Sequence, residues 1–223
     1  MGILYGIGVG PGNPEYMTLQ AVRIIKECSI IAIPDSEAEK SIALHIAKQA
    51  IPEIMEKEII TVTMPMVKEK ELLENAHQEA ADKLLHYLNN TDVAFLTIGD
   101  VSIYSTYLYL QKKVQAKGIE TIMVPGIPSF CAAAAALNDS LVEGDEMLHL
   151  IPASYDLTSS MQLTGSKVFM KAGKKFPQLK EQLRKSKSAK MIENCGLPTE
   201  KIYSSLSDFP EKAGYLSLIV VKE

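Results

Sequence analysis

Ile98-Gly99-Asp100-Val101-Ser102-Ile103-Tyr104-Ser105 joins two kinds of sequence. Ahead of it, Val93 to Ile98 is an unbroken apolar run, the mark of a strand buried on both faces of a parallel sheet. Behind it, Tyr104 to Lys117 spaces Leu108, Leu110 and Val114 at helical intervals, so the octet is a strand-to-helix corner. In open α/β sheets, ligands bind outside the carboxyl ends of strands, where backbone groups are exposed and held rigidly. A Gly-Asp pair at such a corner allows close backbone approach and adds one fixed carboxylate. The same letters also suit an ordinary βα turn with a capping Asp or Ser.

The alternation continues outward from this corner. Ile3 to Val9 reads as a first strand, and Thr18 as the cap of a helix over Leu19 to Cys28, with Leu19, Val22, Ile25 and Cys28 on one face. Ser29 to Ile33 is a second strand, stopped by Pro34; residues 35–40 read as a polar loop that could touch a substrate, and Ile42 to Ala50 as a helix. Ile59 to Met64 is a third strand. A long amphipathic helix over Glu69 to Leu88 then turns Leu72, Leu73, Ala76, Ala80, Leu84 and Leu88 inward. His77 and His86 fall on different helical faces, which excludes a metal pair, and both read as surface residues. Glu120 to Val124 is a further strand, ending in Pro125-Gly126-Ile127-Pro128-Ser129.

The pattern changes after that second corner. An alanine-rich helix over Phe130 to Leu137 is followed by short strands at 147–151, 167–170, 189–192, 201–204 and 215–221, with a helix near 177–185. Strands with fewer helices between them predict a mixed sheet with antiparallel pairs. The expected class is α/β in two domains: 1–126 with a mainly parallel sheet, and 127–223 with a mixed one.

Composition sets bounds on function. Over 223 residues the chain is 47% hydrophobic and 22% charged, as in an ordinary globular protein. A net charge of −4 without a basic cluster argues against nucleic acid as the main partner. Cys28, Cys131 and Cys195 are far apart and show no CxxC spacing, so neither a disulfide framework nor a metal site is expected. No apolar run reaches the roughly 18 residues of a membrane span and no leader pattern opens the chain, which predicts a cytoplasmic protein with no membrane partner.

The first loop, Gly6-Ile-Gly-Val-Gly-Pro-Gly-Asn-Pro14, looks like a dinucleotide fingerprint but fails its register. Counting from Gly6 the third glycine position holds Pro11, and from Gly8 it holds Asn13. Neither a nucleophile elbow nor a Walker loop is present. The chemistry on offer is a set of strand-end loops: 10–12, Gly99-Asp100, 125–129, Met170-Lys171 and 194–196. Such loops suit group transfer from an activated donor, where holding two reactants in place can supply on the order of 7–11 kcal/mol.

Taken together, Gly8-Val-Gly-Pro-Gly-Asn-Pro14 with Thr18-Leu19, Gly99 to Ser105, Val124-Pro-Gly-Ile-Pro-Ser-Phe130 and Tyr215 to Val221 resemble the tetrapyrrole (corrin/porphyrin) methylases. Tyr104 to Leu110, Pro128-Ser-Phe130 and Glu143 to Ala153 look most like the members that methylate carbon 20 of precorrin-2 or cobalt-factor II. The resemblance implies two α/β domains with S-adenosyl-L-methionine in a cleft between them, a homodimer, and attack by the ring carbon on the donor's sulfonium methyl.

Carried over by motif, the donor-binding positions are Pro11, Ile98, Gly99, Asp100, Ile103, Ser105, Thr106, Pro128, Ser129, Phe130, Met170 and Cys195. Asp100 is the candidate catalytic residue, either holding the donor or steering the reaction electrostatically. Gly10, Gly12, Asn13 and Arg23 are the substrate-side candidates, and Lys171, Lys174 and Lys175 are further cations for the substrate's carboxylates. No protein-bound metal is expected. Asn13 stands where the family usually has Asp, and Val101 where it has Pro. Alternatives are a methylase of the same fold acting on another ring carbon or making diphthine, or a non-catalytic adenine-nucleotide-binding module.

Overall fold

A computed structural model of the chain describes residues 1–34, 37–65, 67, 69–152, 155–184, 186 and 188–222, apart from the side chains of 37–41 and 174. It divides into two compact units, Met1–Pro128 and Ser129–Glu223.

The first unit carries strands β1 (Leu4–Gly8), β2 (Ile30–Pro34), β3 (Glu58–Val62), β4 (Val93–Thr97) and β5 (Thr121–Val124). They form one parallel sheet in the order β3-β2-β4-β1-β5. Every residue of β4 is buried, as its unbroken apolar run requires. Phe95 faces one layer, with α3 (Lys70–Leu88) and α4 (Tyr107–Gln115), while Ala94 and Leu96 face the other, with α1 (Leu19–Glu27) and α2 (Glu37–Ala50). The strand order places the carboxyl ends of β4, β1 and β5 side by side, so their three loops converge.

Several expected faces are corrected. Leu19 is 90% exposed, and α1 packs through Ala21, Ile24 and Ile25 with Cys28 following. That set is a complete i, i+3, i+4, i+7 stripe, and the small Ala21 lets the helix approach the sheet; Leu19, Val22 and Ile25 drift off one face. Leu72 is exposed, whereas His77, expected at the surface, is buried. Its ring stacks on Tyr109 of α4 at 4.7 Å, because α3 lies against α4 and this position falls on their seam. Burial there pulls the imidazole below its ordinary range, against the opposing charge of Glu74. The polar loop expected over 35–40 is largely helical, since α2 already starts at Glu37; residues 35 and 36 lie outside the described residues.

The second unit carries α5 (Ser129–Ala136), β6 (Leu148–Pro152), α6 (Leu157–Met161), β7 (Ser166–Met170), α7 (Phe176–Leu183), β8 (Ser188–Glu193), β9 (Lys201–Tyr203) and β10 (Ser217–Lys222). Its sheet runs β6-β7-β10-β8-β9, with β6 and β7 parallel and the other pairs antiparallel, so the mixed sheet read from the sequence is present. Helix α6 had no counterpart in the sequence reading. It is little more than one turn, capped by the Asp156 carboxylate on the Thr158 N–H, and is too short to show a period. Because β7 and β8 both run antiparallel to β10, their carboxyl ends share one edge, where β10 begins.

Candidate functional site

In the first unit, the loops after β1, β4 and β5 meet backbone to backbone. The Gly99 N–H donates to the Gly10 carbonyl at 2.8 Å, and the Gly10 N–H returns a bond to the Gly99 carbonyl at 3.2 Å. Both residues take positive φ, +71° and +76°, which glycine adopts without strain. Gly8 and Gly126 fill the gap behind them. A Cβ on Gly126 would lie 2.2 Å from the Gly99 carbonyl oxygen, and one on Gly8 would lie 2.6 Å from that same atom. Pro11, Gly10 and Gly12 are buried beside this junction.

The Asp100 carboxylate ties two of these loops together. Its Oδ2 accepts the Gly126 N–H at 2.9 Å, and its Oδ1 accepts both the Ser102 N–H at 2.8 Å and the Ser102 hydroxyl. Burial pushes the carboxyl up, but the bonds from Ser102, Gly126 and Val101 outweigh it and hold the group below its usual range. The Val101 N–H, which a proline would lack, is the smallest of these contributions to holding the carboxyl low, while its side chain is 1% exposed in the core under α3 and α4.

Ser105 is buried; its hydroxyl donates to Thr97 Oγ1 at 3.3 Å and accepts the Tyr107 N–H at 3.2 Å, holding the start of α4. The Thr106 hydroxyl oxygen is buried with no hydrogen-bond partner among the described residues. Ile98 and Ile103 are half-buried at the two sides of the corner. The structure thus gathers Pro11, Ile98, Gly99, Asp100, Ile103, Ser105 and Thr106 at one end of one sheet. Thr18, quoted in the sequence only as a cap, does two things: its oxygen accepts the Ala21 N–H at 3.1 Å and its hydroxyl donates to the Pro125 carbonyl at 3.3 Å.

The substrate-side candidates have structural partners of their own. Asn13 Oδ1 accepts the Glu15 N–H at 2.9 Å and caps the 3₁₀ turn Pro14–Tyr16, a task for which a neutral amide oxygen suffices in place of a carboxylate. Arg23 pairs with Glu27 one turn along α1 at 2.7 Å, with both side chains 59% exposed.

In the second unit, Ser129 and Phe130 open α5, with Pro128 closing the unit before it. Met170 ends β7 between Pro152 of β6 and Leu218 of β10, and is buried. Cys195 follows β8 at the same sheet edge. Burial first, and then Glu200, pushes the Cys195 thiol up to about 12, so it stays protonated and offers an apolar wall in place of a nucleophile. Lys171 takes φ +56° directly after β7, and its ammonium lies 5.7 Å from the Tyr215 ring centroid. The Lys175 ammonium donates to the Tyr155 carbonyl at 3.3 Å. The Lys174 side chain lies outside the described residues.

Sequence reasoning missed Glu193 here. One of its oxygens accepts the Gly214 N–H at 2.8 Å and the other accepts the Tyr203 hydroxyl at 3.0 Å, joining β8 to the turn before β10. Its signal was available: an acidic residue closing a strand just before the Gly-containing turn 194–196. Among the described residues, no group of three or more His, Cys, Asp or Glu side chains is placed to hold a metal ion.

A parallel sheet whose three adjacent carboxyl-end loops are glycine-lined, followed by a mixed-sheet unit, is the architecture of a known class. Residues 3–210 match the model of the tetrapyrrole (corrin/porphyrin) methylases, and the chain belongs to that family. Within it, the chain is 35% identical over 228 residues to a probable cobalt-precorrin-2 C(20)-methyltransferase of Methanocaldococcus jannaschii, covering 98% of this chain and 95% of that one. It is 27% identical to the cobalt-precorrin-2 C(20)-methyltransferase of Salmonella typhimurium, covering 100% and 97%. Among solved structures, the uroporphyrin-III C-methyltransferase of Thermus thermophilus in complex with S-adenosylhomocysteine matches with a TM-score of 0.73 at 18% identity, over 100% of this chain and 98% of that one.

Proposed function

We propose that the chain is an S-adenosyl-L-methionine-dependent methyltransferase that methylates carbon 20 of precorrin-2 or of cobalt-factor II in the synthesis of the corrin ring. The observation that carries this reading is the near-full-length identity to a relative named for that reaction. The likeness in fold alone does not choose the ring carbon.

The corner of the first unit fits the donor. A nucleoside joined to an amino acid needs backbone donors and acceptors at close range, and the Gly8, Gly10, Gly99 and Gly126 junction provides a wall without side chains. The unpartnered Thr106 hydroxyl adds a polar group ready for a ligand. Bound there, S-adenosyl-L-methionine supplies an electrophilic sulfonium methyl group. The chain's own contribution is to bind and orient: Pro11, Ile98, Gly99, Asp100, Ile103, Ser105 and Thr106 from the first unit, Pro128, Ser129 and Phe130 from the connection, and Met170 and Cys195 from the second. Gly10, Gly12, Asn13 and Arg23 serve the tetrapyrrole. The enzyme works as a homodimer in the cytoplasm and needs no metal of its own.

The test incubates purified protein with methyl-labelled donor and, separately, precorrin-2 and cobalt-factor II. Label on carbon 20 of either product is the expected result, and the better substrate decides the metal question. No incorporation into either sinks the reading; label on another carbon moves the chain to a different reaction of its family.

A further inference from the structure

Asp100 is the one ionisable side chain among the donor positions Pro11, Ile98, Gly99, Asp100, Ile103, Ser105 and Thr106, and its surroundings bear on what it does. A carboxylate offers about four acceptor sites. Here Oδ1 is occupied by two groups of Ser102 and Oδ2 by the Gly126 N–H, with the Val101 N–H also contributing. All of these are donors, so the arrangement stabilises the ionised form. Neither oxygen is left bare to collect a proton.

The loop that Asp100 grips has little else to hold it. Among the described residues β5 is an edge strand paired with β1, and its ladder ends at Val124. Beyond that point the described polar ties on Pro125 and Gly126 are two: Thr18 on the Pro125 carbonyl and Asp100 on the Gly126 N–H. Between those ties, Gly126 is packed against Gly8 and the Gly99 carbonyl more closely than any side chain would allow. Such contact of bare backbones supplies no rotamer or side chain to fix the spacing. The distance between the β4 and β5 loops is therefore set by the latch across them.

We infer that Asp100 is a positioning residue: its carboxylate clamps the 125–128 loop to the 99–102 turn and so preshapes the donor wall, and it takes no proton in the reaction. The inference rests on the methyl-donor reading of this corner. Preorganisation of this kind appears mainly in ligand affinity, because a loosened wall must be re-ordered on binding.

The test pairs calorimetric binding of S-adenosylhomocysteine with steady-state methyl transfer for the wild-type chain, Asp100→Asn and Ser102→Ala. In Asp100→Asn the amide NH2 must face an N–H group, so one charge-assisted contact is lost. The expected result is donor-product affinity weaker by roughly ten- to a hundredfold, with KM for the donor rising in parallel. kcat should fall by less than about fivefold, with the pH profile of kcat keeping its shape. Ser102→Ala, which keeps its N–H, should shift affinity the same way by a few-fold, and it carries the test alone if Asp100→Asn does not fold.

Wild-type affinity in both variants would overturn the inference; so would an Asp100→Asn enzyme that binds normally but loses kcat by about a thousandfold along with the acidic limb of its profile, an outcome that would make Asp100 a proton acceptor. Failure of the wild-type chain itself to bind S-adenosylhomocysteine overturns the donor reading, and the inference with it.

Discussion

Each unit closes a sheet edge with the same device, yet the two corners differ in tolerance. In the first, Asp100 reaches from the end of β4 to the Gly126 N–H; in the second, Glu193 reaches from the end of β8 to the Gly214 N–H. Both carboxylates span neighbouring loops and use both oxygens. The difference lies behind the bond. Gly126 is pressed against the Gly99 carbonyl and Gly8, whereas a Cβ on Gly214 would meet only Glu193 Oε1, at an ordinary 3.7 Å. Identical hydrogen-bond chemistry can thus serve a sterically closed corner and an open one. Parallel strands bring three loops to one point, while the antiparallel pairs of the second sheet spread their connections over both edges.

The largest expected effect separates the two glycines. Gly126→Ala forces backbone apart and should cost about 3 kcal/mol of stability, with loss of S-adenosylhomocysteine binding; Gly214→Ala should stay within about 0.5 kcal/mol. Denaturant titration of both variants checks this, and equal losses would break the comparison. Next, Glu193→Ala removes acceptors from Gly214 and Tyr203 and should cost about 1–2 kcal/mol, with less effect on S-adenosylhomocysteine affinity than Asp100→Asn. If the affinity effects were reversed, the comparison between the two corners would fail.

A smaller effect concerns acid. In the second unit, Asp139 accepts from Lys190 at 2.6 Å and Lys222 at 3.3 Å, and these bonds hold its carboxyl below its ordinary range. A lowered folded-state value means that its stabilisation is complete above the unfolded value of about 4 and is lost as pH falls below it. Melting temperatures should therefore drop as pH falls below about 4, less steeply in Asp139→Asn than in the wild type; superimposable slopes would remove Asp139 from the account. The smallest is chemical. Burial pushes the thiols of Cys28 and Cys195 up to about 12, so at pH 8 a thiol reagent should label the exposed Cys131 first, as peptide mapping would reveal.

The order of elements was legible because local patterns encode it. The apolar run of β4, the stop at Pro34 and the Thr18 cap each depend on neighbours within a few residues. The convergence of glycine loops was legible as a list of strand ends, since glycine and proline mark where a chain must turn. Faces that depend on which helix packs where were not legible. His77 reads as polar and outward until α4 covers it with Tyr109, and Leu19 reads as core until the stripe through Ala21 is chosen instead.

Asp100 shows the division most clearly. By itself the sequence determined that an apolar strand run ends near Ile98, that a glycine and a carboxylate follow, and that the loop must turn into a helix, because these follow from hydrophobic run length and local backbone preference. Only the tertiary structure decided that the carboxylate faces Gly126, 26 residues on, and that Gly8 and Gly99 leave no room between them. Sheet order brings β4, β1 and β5 together, and strand order is a property of packing that no stretch of a few residues contains.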